Sequence, residues 1–438
     1  MKGTGEIPLN YDEALAALHA IPRRNKEENL NRMERLMAIL SDPHKRLKLI
    51  HVAGTNGKGS ISRMLEEVLS ASGYRTGLFT SPYIFDFRER IQIDNVMILR
   101  EEVVHYFEIV LKASETLTQE GWGMPSEFEF VTAMALLYFR DQDVDLAIIE
   151  VGIGGLYDAT NVISPILSII SSINFDHTNL LGNTLESIAR HKAGIIKGSP
   201  CVSSSQHPEV RKVLKEQAKT VSSELVFFST RDMRFLEMEG TKQRVRYEFR
   251  HREPLTVTLS LLGIHQMINA GVVLHALEVL KNLGYRLITD EHVIKAMAMV
   301  RWPGRMEVIQ EEPLVIIDGA HNMDGAINLR ESMEFYFPGR KIILILGILK
   351  DKDVDAISQV LSRNTRKTIC ITPDYYRAMD ARELMSLMDA SVDLVQAASF
   401  PEAVDLALNA YERGDVILAS GSLYTISDME RAFRGRLG

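Results

Sequence analysis

The chain has 438 residues and a formal net charge of −8, and at roughly 150 residues per domain this length suits two or three domains. Hydrophobic residues make up 46% and charged residues 25%, the balance of a soluble globular protein, and the acidic excess argues against general nucleic-acid binding. The two cysteines, Cys201 and Cys370, stand far apart without a second ligand cluster, which excludes a disulfide framework and fits a reducing compartment. Met1 to Leu18 lacks the apolar core of a signal peptide. No apolar run approaches the roughly 20 residues that span a bilayer. The expectation is a cytoplasmic protein with neither membrane nor nucleic-acid partners.

Tyr11 to Ala20 and Asn29 to Leu40 read as helices, separated by a charged, turn-prone stretch at Pro22 to Lys26. A strand-like run, Leu47 to Ala53, then enters Gly54-Thr55-Asn56-Gly57-Lys58-Gly59-Ser60 and an amphipathic helix that ends near Gly73. Strand, glycine turn and helix start make a phosphate cradle: glycines let backbone N–H groups close on an anion, the helix dipole favours negative charge, and Lys58 adds a cation. The pattern departs from G-x-x-x-x-G-K-S/T, because Val52 stands at its first glycine and Gly59 separates Lys58 from Ser60. An ordinary turn between strand and helix is the plainer account; the flanking elements favour a variant nucleotide loop.

Further strands are expected at Tyr74 to Phe79, Asp145 to Val151 and Ile166 to Ile173, and helices at Glu101 to Leu117, Phe128 to Phe139 and Thr184 to Ile196. The nearly unbroken apolar runs suit strands covered on both faces of a parallel sheet. From Leu225 to Leu262 the pattern alternates, which predicts antiparallel strands. Helices at His265 to Leu280 and Glu291 to Val300 complete a first domain, 1–300. Trp302-Pro303-Gly304-Arg305 places a hinge at 301–305. Strands at Leu314 to Ile317, Lys341 to Leu346, Thr368 to Ile371 and Val416 to Ala419 alternate with helices in a smaller domain, 301–438. The fold class is α/β: a P-loop-type ATP-binding domain with a parallel-rich sheet, then a Rossmann-like C-terminal domain.

Ligands in open α/β sheets gather outside the carboxyl ends of strands. The glycine loop, Ser81, Glu150, His177, Asp318 and His321 all sit there. Ser before Pro is commonly a turn residue, and His177 beside Asp176 suits a surface pair, but Glu150 closing an apolar strand needs a partner or a metal. One hydroxyl, one carboxylate and one imidazole near a triphosphate make a Mg²⁺ set, since that ion takes few protein ligands plus waters and phosphate oxygens. Gly152 to Tyr157 mimics a dinucleotide fingerprint, yet no amphipathic helix follows to hold a pyrophosphate.

These residues, in order, resemble the folylpolyglutamate synthase/dihydrofolate synthase family within the Mur-ligase superfamily. The resemblance runs through HVAGTNGKGS (51–60), TSP (80–82), FRERI (87–91), SEFEFVT (126–132) and EVGIGGLYDATN (150–161). It continues through DHTNLLGNT (176–184), KAGIIK (192–197), GIHQMINA (263–270), WPGRMEV (302–308), DGAHN (318–322), GILKDKD (347–353) and GSLY (421–424). It implies an ATP-dependent amide ligase: a folate carboxylate becomes an acyl phosphate, and the L-glutamate amine displaces phosphate. By position, Thr55, Asn56, Gly57, Lys58, Gly59 and Ser60 resemble the phosphate loop, and Asn269, Arg305 and Asp318 further nucleotide contacts. Ser81 and Glu150 match one Mg²⁺ site and His177 a second, beside Lys192, which the family carries in carbamylated form. Ser126, Glu127, Phe128, Glu129, Tyr157, Asp158 and Ala159 resemble the folate side, and His321 and Ser422 the glutamate site. Lys58, Lys192, Asp318 and His321 are the expected catalytic residues, in a chain expected to work as a monomer on reduced folate and L-glutamate with ATP and two Mg²⁺ ions.

Three residues depart from the family pattern: Leu156 where an Arg is common, Asn29 for a usual glycine, and Tyr83 for a usual histidine. All lie on the expected folate side, and the missing Arg favours glutamate-chain extension over dihydropteroate glutamylation, with dihydrofolate synthesis left open as a second activity of the same enzyme. The alternatives are a Mur-type ligase acting on another acid and an ATP-binding switch without ligase activity. The form of the GTNGKGS loop, together with DGAHN and GSLY, argues against the first. The second has no use for Asp318, His321 and Ser422.

Overall fold

The computed structural model describes residues 10–22, 29–389 and 391–437, so most of the turn expected at Pro22 to Lys26 lies outside the described residues. The chain folds as an α/β protein of two compact units, Met1–Asp232 with Asn269–Ala296 and Met233–Ile268 with Met297–Gly438.

The first unit is built on β1 (Leu49–Ala53), β2 (Thr76–Phe79), β3 (Ile91–Ile93), β4 (Val96–Met97), β5 (Leu146–Glu150), β6 (Leu167–Ile170), β7 (Cys201–Ser203) and β8 (Leu225–Phe227), in the order β4-β3-β2-β5-β1-β6-β7-β8. Neighbours from β2 to β8 pair in parallel, and β3 and β4 add an antiparallel edge. Every residue of β1 is buried between β5 and β6, which is why that strand reads as an apolar run. The register sets Val52 opposite Glu150 and Phe79 opposite Ile149. The carboxyl ends of β1, β2 and β5 therefore open at one edge. One core gathers Leu49, Phe79 and Ile149 with helices Tyr11–Ala20, Asn31–Ile39, Arg100–Gln119 and Glu127–Asp141; another gathers Ala53, Ile170 and Cys201 with helices Leu185–Ala193 and Pro208–Thr220.

The second unit carries a three-stranded antiparallel sheet, β9 (Met233–Glu239), β10 (Lys242–Tyr247) and β11 (Leu255–Leu259), in the order β11-β10-β9. Its larger sheet comprises β12 (Glu307–Glu311), β13 (Leu314–Ile317), β14 (Ile342–Leu346), β15 (Thr365–Cys370), β16 (Leu394–Gln396) and β17 (Val416–Ser420), ordered β12-β13-β17-β14-β15-β16. All its pairs are parallel except β12 with β13. Tyr336 Oη donates to Gln243 Oε1 at 2.6 Å, which joins the small sheet to helix Met323–Tyr336.

Two differences from the sequence reading have physical causes. Leu225–Phe227 does not join the antiparallel set; it extends the first sheet in parallel beside β7. Of the strands the pattern failed to announce, β3, β4, β7 and β16 have two or three residues each, too few to establish a period, and β12, with five, is a half-buried edge strand without a continuous apolar run.

Candidate active site

At the end of β1 the chain turns through Gly54, where a side chain would clash: a Cβ there would lie 1.7 Å from Ser171 Oγ, beyond the end of β6. The turn is tied down along its length. Thr55 N–H donates to the Ser172 carbonyl at 2.7 Å, and Thr55 Oγ1 and Asn174 exchange two bonds at 3.0 Å each. Gly57, at φ 90°, caps helix Lys58–Ala71 from the left-handed region, a conformation that favours glycine. Asn269 presses on it, since a Cβ at Gly57 would fall 2.6 Å from Asn269 Oδ1. Lys58 folds back over the loop, its Nζ donating to the carbonyls of Gly54 at 3.3 Å and Thr55 at 3.2 Å. Ser60 is buried in the first helical turn. A helix start with a lysine over it is an anion site by construction.

Lys192, from helix Leu185–Ala193, reaches the same loop. Its Nζ donates to the Gly54 carbonyl at 2.7 Å, and the side chain is buried. Burial first, and the charge of Lys58 second, push its pKa down to about 7, while Asp176 and Asp158 pull the other way. Ser81 and Glu150 also meet: the Ser81 N–H donates to Glu150 Oε2 at 3.2 Å across the neighbouring ends of β2 and β5. Glu150 is buried, so its carboxylate and the adjoining hydroxyl are oxygen donors of the kind a hard cation takes, leaving room for waters and phosphate oxygens. His177, at φ 49°, sits against Asp176, with Nε2 3.8 Å from Oδ2. Among the described residues, no group of three or more His, Cys, Asp or Glu side chains could hold a metal ion.

The residues expected on the folate side divide into two kinds. Ser126 and Glu129 form a reciprocal capping box on helix Glu127–Asp141, and Glu129 also accepts from Arg32 Nε at 3.2 Å. Glu127 Oε1 lies 3.0 Å from His19 Nδ1. These three side chains hold the helix start and its neighbours. Phe128 is half-buried, 5.9 Å from the Phe79 ring, and faces Gly152, where a Cβ would meet its ring at 2.7 Å. Tyr157 is exposed, edge-on to His191. Asp158 is buried and starts the 3-10 turn Ala159–Val162, so the Gly152 to Tyr157 stretch leads into no α-helix. Sequence reading missed His19 and Arg32, which lie about a hundred residues from their partners and carry no local pattern. Asp176 was seen only as half of a surface pair, and its influence on Lys192 is a product of the fold.

The second unit gathers its expected residues at the carboxyl ends of β13 and β17. Asp318 is buried, and its two oxygens accept from the N–H groups of Met306 and Ala320, each at 2.8 Å. Burial raises its pKa, opposed by the charge of Arg305. His321 Nδ1 lies 2.8 Å from the Gly319 carbonyl. Ser422, fully enclosed, pairs with Thr425 Oγ1 at 2.9 Å, and that hydroxyl donates to the Gly347 carbonyl beyond β14 at 2.8 Å. Missed here was His265, whose buried Nδ1 has no partner and whose pKa is pushed down to about 4 by burial and then by Arg305.

Residues 52–277 match the family described as Mur ligase middle domain, and 304–423 match Mur ligase, glutamate ligase domain. The chain is 36% identical to the dihydrofolate synthase/folylpolyglutamate synthase of Bacillus subtilis, over 97% of this chain and 99% of that protein. It is 35% identical to the folylpolyglutamate synthase of Lacticaseibacillus casei, over 98% and 99%. The Mycobacterium tuberculosis folylpolyglutamate synthase complexed with ADP and AMPPCP superposes with a TM-score of 0.88 at 29% identity, covering 98% of this chain and 99% of that one.

Proposed function

The chain belongs to the folylpolyglutamate/dihydrofolate synthase family of the Mur-ligase superfamily, and from that premise we propose how its residues divide the work. It is an ATP-dependent acid–amino-acid ligase that adds L-glutamate to a reduced folate. The observation that carries the residue reading is the convergence of Lys58 and Lys192 on the Gly54 carbonyl, at the end of the first sheet's buried strand β1. In this reading, 54–60 is a P-loop-type cradle for the triphosphate of ATP, with Asn269, Arg305 and Asp318 as further nucleotide contacts. Residues 301–438 are a Rossmann-like domain that presents L-glutamate through His321 and Ser422.

A carboxylate resists amine attack until one oxygen becomes a phosphate leaving group. Lys58 and the loop amides neutralise the charge that moves with the phosphoryl group, and that placement is most of the catalysis in such transfers. The acyl phosphate then meets the glutamate amine, an amide bond forms, and phosphate leaves. Ser81 and Glu150 would hold one Mg²⁺, and His177 with a carbamylated Lys192 a second; bound there, the ions supply charge neutralisation on the phosphate oxygens. A buried amine with a pKa near neutrality suits carbamylation, because the neutral form attacks CO₂. Phe128, Tyr157 and the 152–159 loop would border the folate. The enzyme is proposed to act as a monomer in the cytoplasm.

Phosphate release with dihydropteroate, tetrahydrofolate and methylenetetrahydrofolate, each with and without L-glutamate, tests this reading. Release that requires both a reduced folate and L-glutamate is expected. No release with any folate would overturn the reading, and release with dihydropteroate alone would reverse the preference for chain extension.

A further inference from the structure

Within the apolar strand β1 one residue is out of character. His51 is fully buried between Ile50 and Val52, and its Nε2 lies 2.9 Å from Thr160 Oγ1. That hydroxyl donates to Asp158 Oδ1 at 2.6 Å. A carboxylate only accepts and a threonine hydroxyl has one proton to give, so the proton of Thr160 goes to Asp158 and its lone pair takes the His51 proton. The ring is thereby fixed as the Nε2–H tautomer, with Nδ1 buried and unpartnered. Burial keeps the ring neutral, its pKa pushed down to about 3.

Asp158 is the hub of this chain. Its carboxylate also accepts from the Thr160 N–H at 3.1 Å, from the Ile153 N–H at 2.9 Å and from the Gly152 backbone. With four donors of its own chain, it organises the loop. That loop is wedged between two parts of the site. On one side Gly152 lies against Phe128. On the other, Leu156 N–H donates to the His191 carbonyl at 2.7 Å, and a Cβ at Gly155 would sit 3.2 Å from Lys192 Cα. Asn161 Nδ2 ties the same segment to the carbonyls of Leu156 and Gly194, at 3.0 and 3.2 Å.

We propose that His51, Thr160 and Asp158 form a positioning relay that fixes the 152–158 loop from the strand carrying the glycine loop, and so sets the folate's place relative to Lys192. His51 is a positioning residue in this scheme, acting on the substrate only through Thr160 and Asp158. The inference rests on the reading that Phe128 and this loop border the folate.

The test compares Thr160→Val, Thr160→Ser, His51→Leu and the His51→Leu/Thr160→Val double variant in steady-state phosphate release with tetrahydrofolate, L-glutamate and ATP. The KM for folate should rise about fivefold or more, the change a lost hydrogen bond gives, while the KM for ATP stays within about twofold. Thr160→Ser should restore the wild-type value, and the double variant should be no worse than the worse single one, because the three residues act as one chain. Amide hydrogen exchange should quicken over 151–158 and stay unchanged over 54–60, a readout that holds even where turnover is lost. Folate and ATP constants moving together, or no faster exchange at 151–158, would overturn the relay. Phe128→Ala separates the two failures: if it raises the folate KM and the relay variants do not, only the relay falls. If it does not, the folate-side reading falls and takes the relay with it.

Discussion

Lys58 and Lys192 donate to one acceptor, the Gly54 carbonyl oxygen, at 3.3 and 2.7 Å. Lys192, the more buried of the pair, holds its proton weakly, first because burial disfavours its charge and second because the Lys58 ammonium repels it, with its pKa down at about 7 against an ordinary 10.5. The sign for stability follows. Between about pH 7 and 10.5 the unfolded chain keeps a proton on Lys192 that the folded chain has shed, so this residue's contribution makes stability rise with pH across that window, by at most about 1.4 kcal/mol per pH unit. Urea unfolding as a function of pH should show this slope in the wild type and lose it in Lys192→Met. An unchanged slope would mean that Lys192 keeps its proton in the fold.

The same pair predicts a chemical behaviour. With ¹³C-labelled bicarbonate, a carbamate resonance should grow as pH rises through about 7, where the neutral amine becomes abundant. Lys58→Met removes the second cause of the depression, so the midpoint should move to higher pH. Lys192→Ala should lose most turnover and regain part of it with short carboxylic acids. Full activity in that variant without them would remove the carbamate from the proposed mechanism.

Gly54→Ala tests the packing of the loop. The new Cβ would lie 1.7 Å from Ser171 Oγ and 2.9 Å from Ser171 Cβ, at a φ of 148°. Overpacking and backbone strain of this kind cost about 2–4 kcal/mol together. Ser171→Ala in the same chain should recover only part of that loss, because the second contact and the φ remain. Urea midpoints of the single and double variants measure the coupling; complete recovery would show that the hydroxyl alone excludes a side chain.

Much of this was legible in the sequence where a signal repeats. β1, β5, β13 and β17 are short apolar runs buried throughout, and the glycine loop follows the first of them as its residues predict. Ser81 and Glu150 could be grouped in advance by their places at strand ends, and the register of β2 on β5 is what brings their backbone and carboxylate together. The residues expected on the folate side were less legible. Ser126 and Glu129 stand three apart ahead of an apolar helix, the spacing of a capping box, and the structure uses them so. Their helix role was masked by their place in a family motif. Partners such as Arg32 for Glu129, or Thr160 for His51, are set by tertiary packing and leave no local pattern.

Ser126→Ala therefore separates a scaffold from a contact. The variant loses a side-chain cap whose oxygen accepts from the Glu129 N–H at 3.3 Å and donates to Glu129 Oε2 at 2.8 Å. Removal of such a cap costs about 1 kcal/mol of stability. A residue that only caps should leave the folate KM within about twofold once the loss of folded enzyme is corrected. A rise well beyond that would make Ser126 a direct folate contact as well.

Glu150→Gln asks whether the buried carboxylate at the end of β5 serves a cation. The amide keeps the shape and can still accept the Ser81 N–H, whose bond to Glu150 is 3.2 Å, so the fold should tolerate the change to within about 1 kcal/mol. What it lacks is charge, and a hard cation binds a neutral amide oxygen far less well than a carboxylate. The Mg²⁺ concentration for half-maximal phosphate release should rise at least about tenfold, with Ser81→Ala giving a smaller rise because a hydroxyl contributes no charge. Thermal melting of both variants checks that they remain folded. If Glu150→Gln is folded and its Mg²⁺ dependence matches the wild type, the buried carboxylate is a structural acceptor for Ser81, and the first cation site must be sought elsewhere in the loop.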